Sequence, residues 1–252
     1  MRTQLLALAA VLGLSLAAAF AGPQDEPAPP TKDDTAKEYI DGVKKELGKQ
    51  DGEAARIAST RLLEIWRDGE ISADAKKEVP DLIEKIADSK DENAAVAGIE
   101  GLQSMGGEDA AKSLKKVVEK ALKAKEPPVQ IYSAALKALG VLRNEDAKIV
   151  DLLVKLLKHQ DHDVVGKAAG ALAGYGPASG KLRKELLEEV IKQSEGVYTA
   201  SNNNDQNAKR KWNIIQSGIM KALNALSGQS FKDPAEARQW YNDHKKDRDL
   251  WK

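Results

Sequence analysis

The stretch 161–177, DHDVVGKAAGALAGYGP, sets the pattern that the rest of the chain repeats. A charged turn leads into Val164 and Val165, a run of Ala and Gly follows, and Gly174, Gly176 and Pro177 read as a helix stop. The register recurs in Gly101-Leu102, Ala138-Leu139, Ala171-Leu172 and Ala222-Leu223. A large apolar residue stands three positions after each Leu: Met105, Leu142, Tyr175 and Leu226. Four positions before it the residue is small in Gly98, Ala135 and Ala168, and Ile219 preceded by Gly218 takes that place in the last copy. The leucines lie 37, 33 and 51 residues apart. The first two intervals are close to the period of stacked helix pairs, about 34–47 residues. Small residues on the first helix of each pair let its partner approach, and the Leu fills the seam.

Composition agrees with helices. Hydrophobic residues make up 42 % of 252, but aromatic residues only 4 %. Ala and Leu therefore supply the core, which suits close helix packing better than a sandwich or barrel. Lys+Arg and Asp+Glu both number 39, so no global charge draws the chain to nucleic acid or to an acidic membrane. There is no Cys, which excludes disulfides, thiol nucleophiles and zinc–cysteine sites.

The N-terminus reads as an export signal. Arg2 precedes an apolar run from Leu5 to Ala18, and Ala19-Phe20-Ala21 has the form of a cleavage site, so residues 1–21 are expected to be removed after Ala21. The apolar run is shorter than the ~20 residues a membrane span needs. Residues 22–35, GPQDEPAPPTKDDT, read as a disordered Pro-rich acidic linker. A short amphipathic helix is expected over 36–48. First helices of successive pairs are expected over 53–66, 92–105, 128–142, 163–175 and 209–226, and second helices over 73–87, 109–124, 145–158, 180–193 and 234–246. The polar segment 195–211, EGVYTASNNNDQNAKRK, reads as a loop insert that stretches one repeat.

Three phrases, DENAAVAGIEGLQSMGG, VQIYSAALKALGVLRN and DHDVVGKAAGALAGYGP, resemble HEAT repeats, in particular the short exported bacterial form. The pattern is an Asp before the first helix, then V-x-x-x-A-A-x-A-L and a Gly. Gln130 and Gly166 stand where the family usually has Arg. The tetratricopeptide family shares the period, but its Trp/Leu-Gly/Tyr pattern is absent. The closing block LSGQSFKDP with Trp240 resembles the last segment of exported HEAT proteins; Asp233, Pro234 and Glu236 form a helix start, and Trp240, Tyr241 and Trp251 are expected to cover the open end of the stack.

The resemblance implies an all-α, right-handed α–α superhelix of about five helix pairs over residues 36–252, with a capping C-terminal helix. It implies second helices along a concave wall, with Lys116, Asp151, Lys155, Lys184 and Glu188 as exposed groove positions. The expected function is a non-enzymatic scaffold of the bacterial envelope that binds a protein partner, without cofactor, metal or nucleic acid. Two other classes compete: a lyase or enzyme-accessory subunit, and a glycan-binding module using Tyr198 with Lys209, Arg210 and Lys211. Chemistry-bearing motifs are sparse. His159-Gln160-Asp161-His162 has metal-ligand residue types but reads as a capped turn, and the glycines at 170, 174 and 176 follow no strand, so they do not make a phosphate loop. A Lys-rich helix, with Lys112, Lys115, Lys116, Lys120, Lys123 and Lys125 against Asp109 and Glu119, reads as a basic stretch of groove or as solvated surface.

Overall fold

The structure, a computed structural model, describes residues 29–47 and 51–252. The expected signal, 1–21, and most of the linker lie outside the described residues. The chain divides into a unit of residues 1–31 and a compact unit of residues 32–252. In the first, only 29–31 are described, exposed and without regular structure.

The second unit is all-helical, with eleven α-helices and no strand among the described residues. These are α1 (Lys32–Glu46), α2 (Gly52–Arg67), α3 (Val79–Ala87), α4 (Glu92–Met105), α5 (Gly107–Lys123), α6 (Val129–Leu142), α7 (Ala147–Leu156), α8 (His162–Leu172), α9 (Gly180–Asn202), α10 (Gln206–Ser227) and α11 (Pro234–His244). A single 3₁₀ turn, Ala173–Tyr175, extends α8.

Aspartate starts most of the helices. The side chains of Asp51, Asp91, Asp146, Asp161, Asp205 and Asp233 each accept a hydrogen bond from a backbone N–H of the first turn, at 2.8–3.1 Å. Those N–H groups have no partner inside their helix, so each cap is worth about 0.5–2 kcal/mol. In α11 the Glu236 side chain also reaches back to the Lys232 N–H at 2.7 Å. The expected capping box therefore closes one residue before the cap.

Packing runs in two series. The even-numbered helices follow one another in contact, α2 on α4, α4 on α6, α6 on α8 and α8 on α10. The odd-numbered helices α3, α5 and α7 touch in order, and α9 touches α11. The seam leucines Leu102, Leu139, Leu172 and Leu223 are all buried, as are the small residues Gly98, Ala135 and Ala168. Odd helices supply the branched core residues, among them Ile83, Leu114, Ile149, Leu153, Leu187 and Ile191.

Several expected boundaries change. The first helix begins at Lys32, so residues 32–35 belong to it and not to the linker. Lysine and aspartates provide a polar first turn there, and the Asp33 carboxylate accepts from the Ser72 N–H at 2.9 Å. The α3 helix starts six residues late. Pro80, which has no N–H to give, sits in its first turn, and Lys76 turns back onto the carbonyls of Trp66 and Asp68. The segment 195–211 is not a loop. The α9 helix runs through it to Asn202, three residues turn the chain, and Asp205 caps α10. Its face is half-apolar, with Ser194 and Ser201 buried and their hydroxyls bonded to carbonyls of their own helix.

The glycines after α8 also have a different task. Neither 174 nor 176 adopts a left-handed conformation; the left-handed helix ends are at Gly106, Arg143 and Gly228. Instead they allow backbones to meet. A Cβ on Gly174 would stand 1.8 Å from the carbonyl oxygen of Gly140, and one on Gly218 would stand 2.0 Å from that of Gly166. A Cβ on Gly170 would meet nothing within 4 Å. These three positions predict opposite outcomes in urea unfolding. Gly174→Ala and Gly218→Ala each lose about 1–3 kcal/mol to overpacking, whereas Gly170→Ala gains about 0.5–1 kcal/mol from helix propensity.

Candidate functional site

The face that composition favoured is partly closed. Lys184 and Glu188 do not stand in an open groove, because α11 and the C-terminal tail lie over α9. The Lys184 ammonium donates to the Lys245 carbonyl. The Glu188 carboxylate accepts from the Tyr241 hydroxyl at 2.8 Å and pairs with Lys192 at 3.1 Å. Lys116 is exposed but reaches across to Glu84 on α3 at 3.0 Å. Asp151 and Lys155 are exposed on α7. The five positions are thus split between a tie to α3, an open helix surface and a covered one.

The second expected set is also occupied by its own fold. The Tyr198 ring packs edge-on against Trp212 at 5.2 Å, and its hydroxyl donates to Asp233 at 3.1 Å, the same residue that caps α11. Lys209 donates to the Asn204 side chain at 2.9 Å. Arg210 is exposed and Lys211 half-buried. Tyr198 is a fastening between α9, α10 and the start of α11 rather than a free ring beside a basic cluster.

In the turn before α8, the His159 ring nitrogen Nδ1 accepts from the Asp161 N–H at 3.1 Å, and the Asp161 carboxylate caps the helix. Among the described residues no three His, Asp or Glu side chains are grouped so as to hold a metal ion.

The C-terminal aromatic residues Trp240 and Trp251 pack together with Phe231 and His244. Trp240 stacks on His244 at 4.7 Å and meets Phe231 and Trp251 at 5.8 and 6.1 Å. The Trp251 indole donates to the His244 carbonyl at 2.9 Å, and Arg183 lies 5.8 Å over its ring while bonding the Leu250 carbonyl. The hydrogen bonds from Tyr241 and Lys192 hold the Glu188 carboxyl below its ordinary value. Burial, then the same Glu188, pushes the Tyr241 phenol up to about 12.

A concave feature lies across α6, α8 and α10. It is a groove of about 620 Å³. Gly166, Gly170 and Gly174, the last in the 3₁₀ turn after α8, line its floor together with Asp163, Lys167, Ala171 and Ala173. Lys137 and Val141 of α6 flank one side, and Ile214 and Lys221 of α10 the other. Val141 and Ile214 are exposed, at 49 % and 46 %. Among the described residues, Lys137, Lys167 and Lys221 have neither an ion pair nor a hydrogen bond from their side chains. A smaller cleft of about 450 Å³ lies between the ends of α2–α5, with Trp66 and Met105 on its wall. Its cations are already neutralised, Lys112 by Glu108 and Lys116 by Glu84.

Sequence reasoning missed the larger groove because it assigned binding to second helices and glycine to helix stops. The signal was present in the four-residue spacing of 166, 170 and 174, which puts all three glycines on one face of a helix.

No family model matches the chain, and no curated protein matches it. The chain is similar to an engineered protein of known crystal structure, at 21 % identity over 77 % of this chain and 79 % of that one, with a TM-score of 0.41.

The terminal cap should respond to pH at both extremes. Glu188, with a lowered folded value, contributes stability above its ordinary value of 4.5, and that contribution falls away as pH drops through and below it. Tyr241, with a raised value, contributes below its ordinary 10.0 and loses that contribution between 10 and about 12. Tyr241→Phe should cost about 1–2 kcal/mol near neutrality. It should also flatten the alkaline limb of a thermal-midpoint profile, measured by circular dichroism, by Tyr241's share; an unchanged limb would show that this hydroxyl does not couple to the fold.

Proposed function

We propose that this chain is a HEAT-like α-solenoid and that it acts as a non-catalytic adaptor, exported to the bacterial envelope, holding a segment of a partner protein. The serial contact of even helices with even and odd with odd supports the solenoid reading, because that is how stacked helix pairs bury a continuous core. The aromatic cap over α9 supports it as well, since an unstacked last repeat leaves an apolar face.

The observation that carries the adaptor reading is the groove over α8. It has a volume of about 620 Å³, Gly170 leaves a gap in its floor, and its lining holds three unpaired lysines, Lys137, Lys167 and Lys221, with one carboxylate, Asp163. The recognition surface is therefore on the first helices, not on the second helices where Lys116, Asp151, Lys155, Lys184 and Glu188 lie. Glycan binding through Tyr198 has less support, since both its ring and its hydroxyl are engaged.

Lysine-reactive crosslinking of the chain in the cells that make it tests the reading, with linked peptides identified by mass spectrometry. Partner peptides joined to Lys137, Lys167 or Lys221, and lost when Gly170→Trp fills the groove, are the expected result. Crosslinks concentrated at Lys116 and Lys155 that survive Gly170→Trp would return the site to the second helices and overturn it.

A further inference from the structure

The groove carries charge as well as shape. The charged residues that line it are Lys137, Lys167 and Lys221 against the single carboxylate of Asp163. That is a net of +2 in a chain whose total is zero. Neither α6 nor α10 contains a carboxylate. By contrast, Lys112, Lys115, Lys116 and Lys120 of α5 each meet a Glu or Asp. The uncompensated lysines at the groove set up a local positive field.

Register shows how that charge is arranged. Lys137 stands two residues before Leu139, and Lys221 two residues before Leu223. The equivalent position of the helix between them, two before Leu172, is Gly170. The two lysines therefore stand on either side of Gly170, with Lys167 and Asp163 on the same helix about one and two turns before it. Neighbouring packed helices lie about 8–10 Å apart, so the two flanking axes are about 16–20 Å apart. An α-helix with side chains is about 10–12 Å wide and fits that gap. The three floor glycines span eight residues, about 12 Å or two turns. A Cβ at 166 or 174 would meet the backbone of α10 or α6, so the open gap, into which a ridge of another helix packs, lies at Gly170.

Resting on the adaptor reading above, we infer that the occupant is a short acidic amphipathic helix of another protein. It lies along α8 with a narrow apolar edge on Gly170, between Val141 and Ile214, and with carboxylates on both flanks toward Lys137 and Lys221. This is the helix-in-groove mode, with apolar anchors at i and i+4 supplying contact area and the charges supplying orientation. Nucleic acid fits less well. No aromatic residue and no arginine lines the groove to stack on bases, and the two lysines stand across the groove rather than along a phosphate path. A plain polyanion leaves Val141 and Ile214 unused.

The test is fluorescence anisotropy with the full chain and labelled peptides of about three helical turns. One peptide carries Leu and Ala at i and i+4 with Glu on both flanks; the second replaces Glu by Lys; the third scrambles the first; polyglutamate is the fourth probe. The Glu helix should bind, weaken with added salt, and lose at least tenfold in affinity when Lys137→Glu is combined with Lys221→Glu. Gly170→Trp should abolish binding, and the paired-lysine change Lys112→Glu should leave it unaltered. Equal binding of the scrambled peptide or of polyglutamate would overturn the helix in favour of a simple polyanion. Preference for the Lys peptide, or no binding of the Glu helix, would overturn the inference while leaving the adaptor reading to the crosslinking result, which reads the groove whatever the charge of its occupant. Self-association of the chain that Gly170→Trp removes would make the occupant a second copy and likewise overturn it.

Discussion

The even helices can stack only because backbone meets backbone between them. Gly140 is opposed to Ala171, Gly174 to Gly140 and Gly218 to Gly166, at separations where any added Cβ would lie 1.8–2.8 Å from the facing main chain. Such contacts bring axes close and leave no room for side chains between them. The apolar volume must then come from elsewhere on each helix: the seam leucines and the Ile, Leu and Val residues of the odd helices are buried in one common core. Deleting one such buried Leu side chain costs about 2–5 kcal/mol, so the two sets of residues act together. Small residues fix the distance between repeats, and large ones fill the core that this distance defines.

The ends of such a stack are solved by different chemistry. At the C-terminus, α11 closes α9 through a mixed set of contacts: Tyr241 to Glu188, Arg238 to Glu195 at 3.0 Å, and a group of rings around Trp240. Gly180 completes it, because a Cβ there would lie 2.2 Å from the Trp251 backbone. At the other end, α1 buries only Ala36, Ile40 and Val43 and is tied to the following turn by exposed ion pairs such as Lys32 with Asp68. Exposed pairs contribute little, about 0–1 kcal/mol each. The C-terminal cap is therefore the better anchored of the two ends, and it is the one that spends Lys184, Glu188 and Tyr198 on structure.

Much of this was legible from residues alone. The Leu register placed four of the first helices to within a few residues, because an apolar residue at 3.6-residue spacing has few alternatives in a chain so poor in β-formers. Asp91, Asp161 and Asp233 announced helix starts correctly, since a short acid before an apolar run has a local partner in the next turn. What failed was whatever depends on the neighbour. Ser194, Tyr198 and Ser201 look polar in sequence, and only packing against α10 and α11 makes them the inner face of a long helix. Gly174 has the appearance of a stop signal, yet its reason is an oxygen 34 residues earlier in the chain, on Gly140. Lys184 and Glu188 have the spacing of exposed groove residues, and nothing local reveals that the last helix returns over them.

The same distinction bears on where a partner binds. Counting charges favoured α5, with its run of lysines, over α6 or α10. Yet a charge that is already answered contributes little to recognition, because a partner must displace the existing pair before it gains a new one. Each α5 lysine that faces α3 or its own helix has such a pair, whereas Lys137, Lys167 and Lys221 have none. The difference traces back to the backbone contacts between even helices. Glycine at 166 and 174 lets the α8 segment sit close to its neighbours, and glycine at 170 leaves the lysines of α6 and α10 facing open space at that level, with Asp163 the one carboxylate in the groove. A residue such as Glu at 170 would pair with both and close the groove electrostatically. Glycine there keeps both the channel and its charge available, and Gly170, unlike 174 and 218, is not required by packing. A position that could carry a side chain at no steric cost, in a helix where glycine is unfavourable, is better explained by the open groove than by the stack.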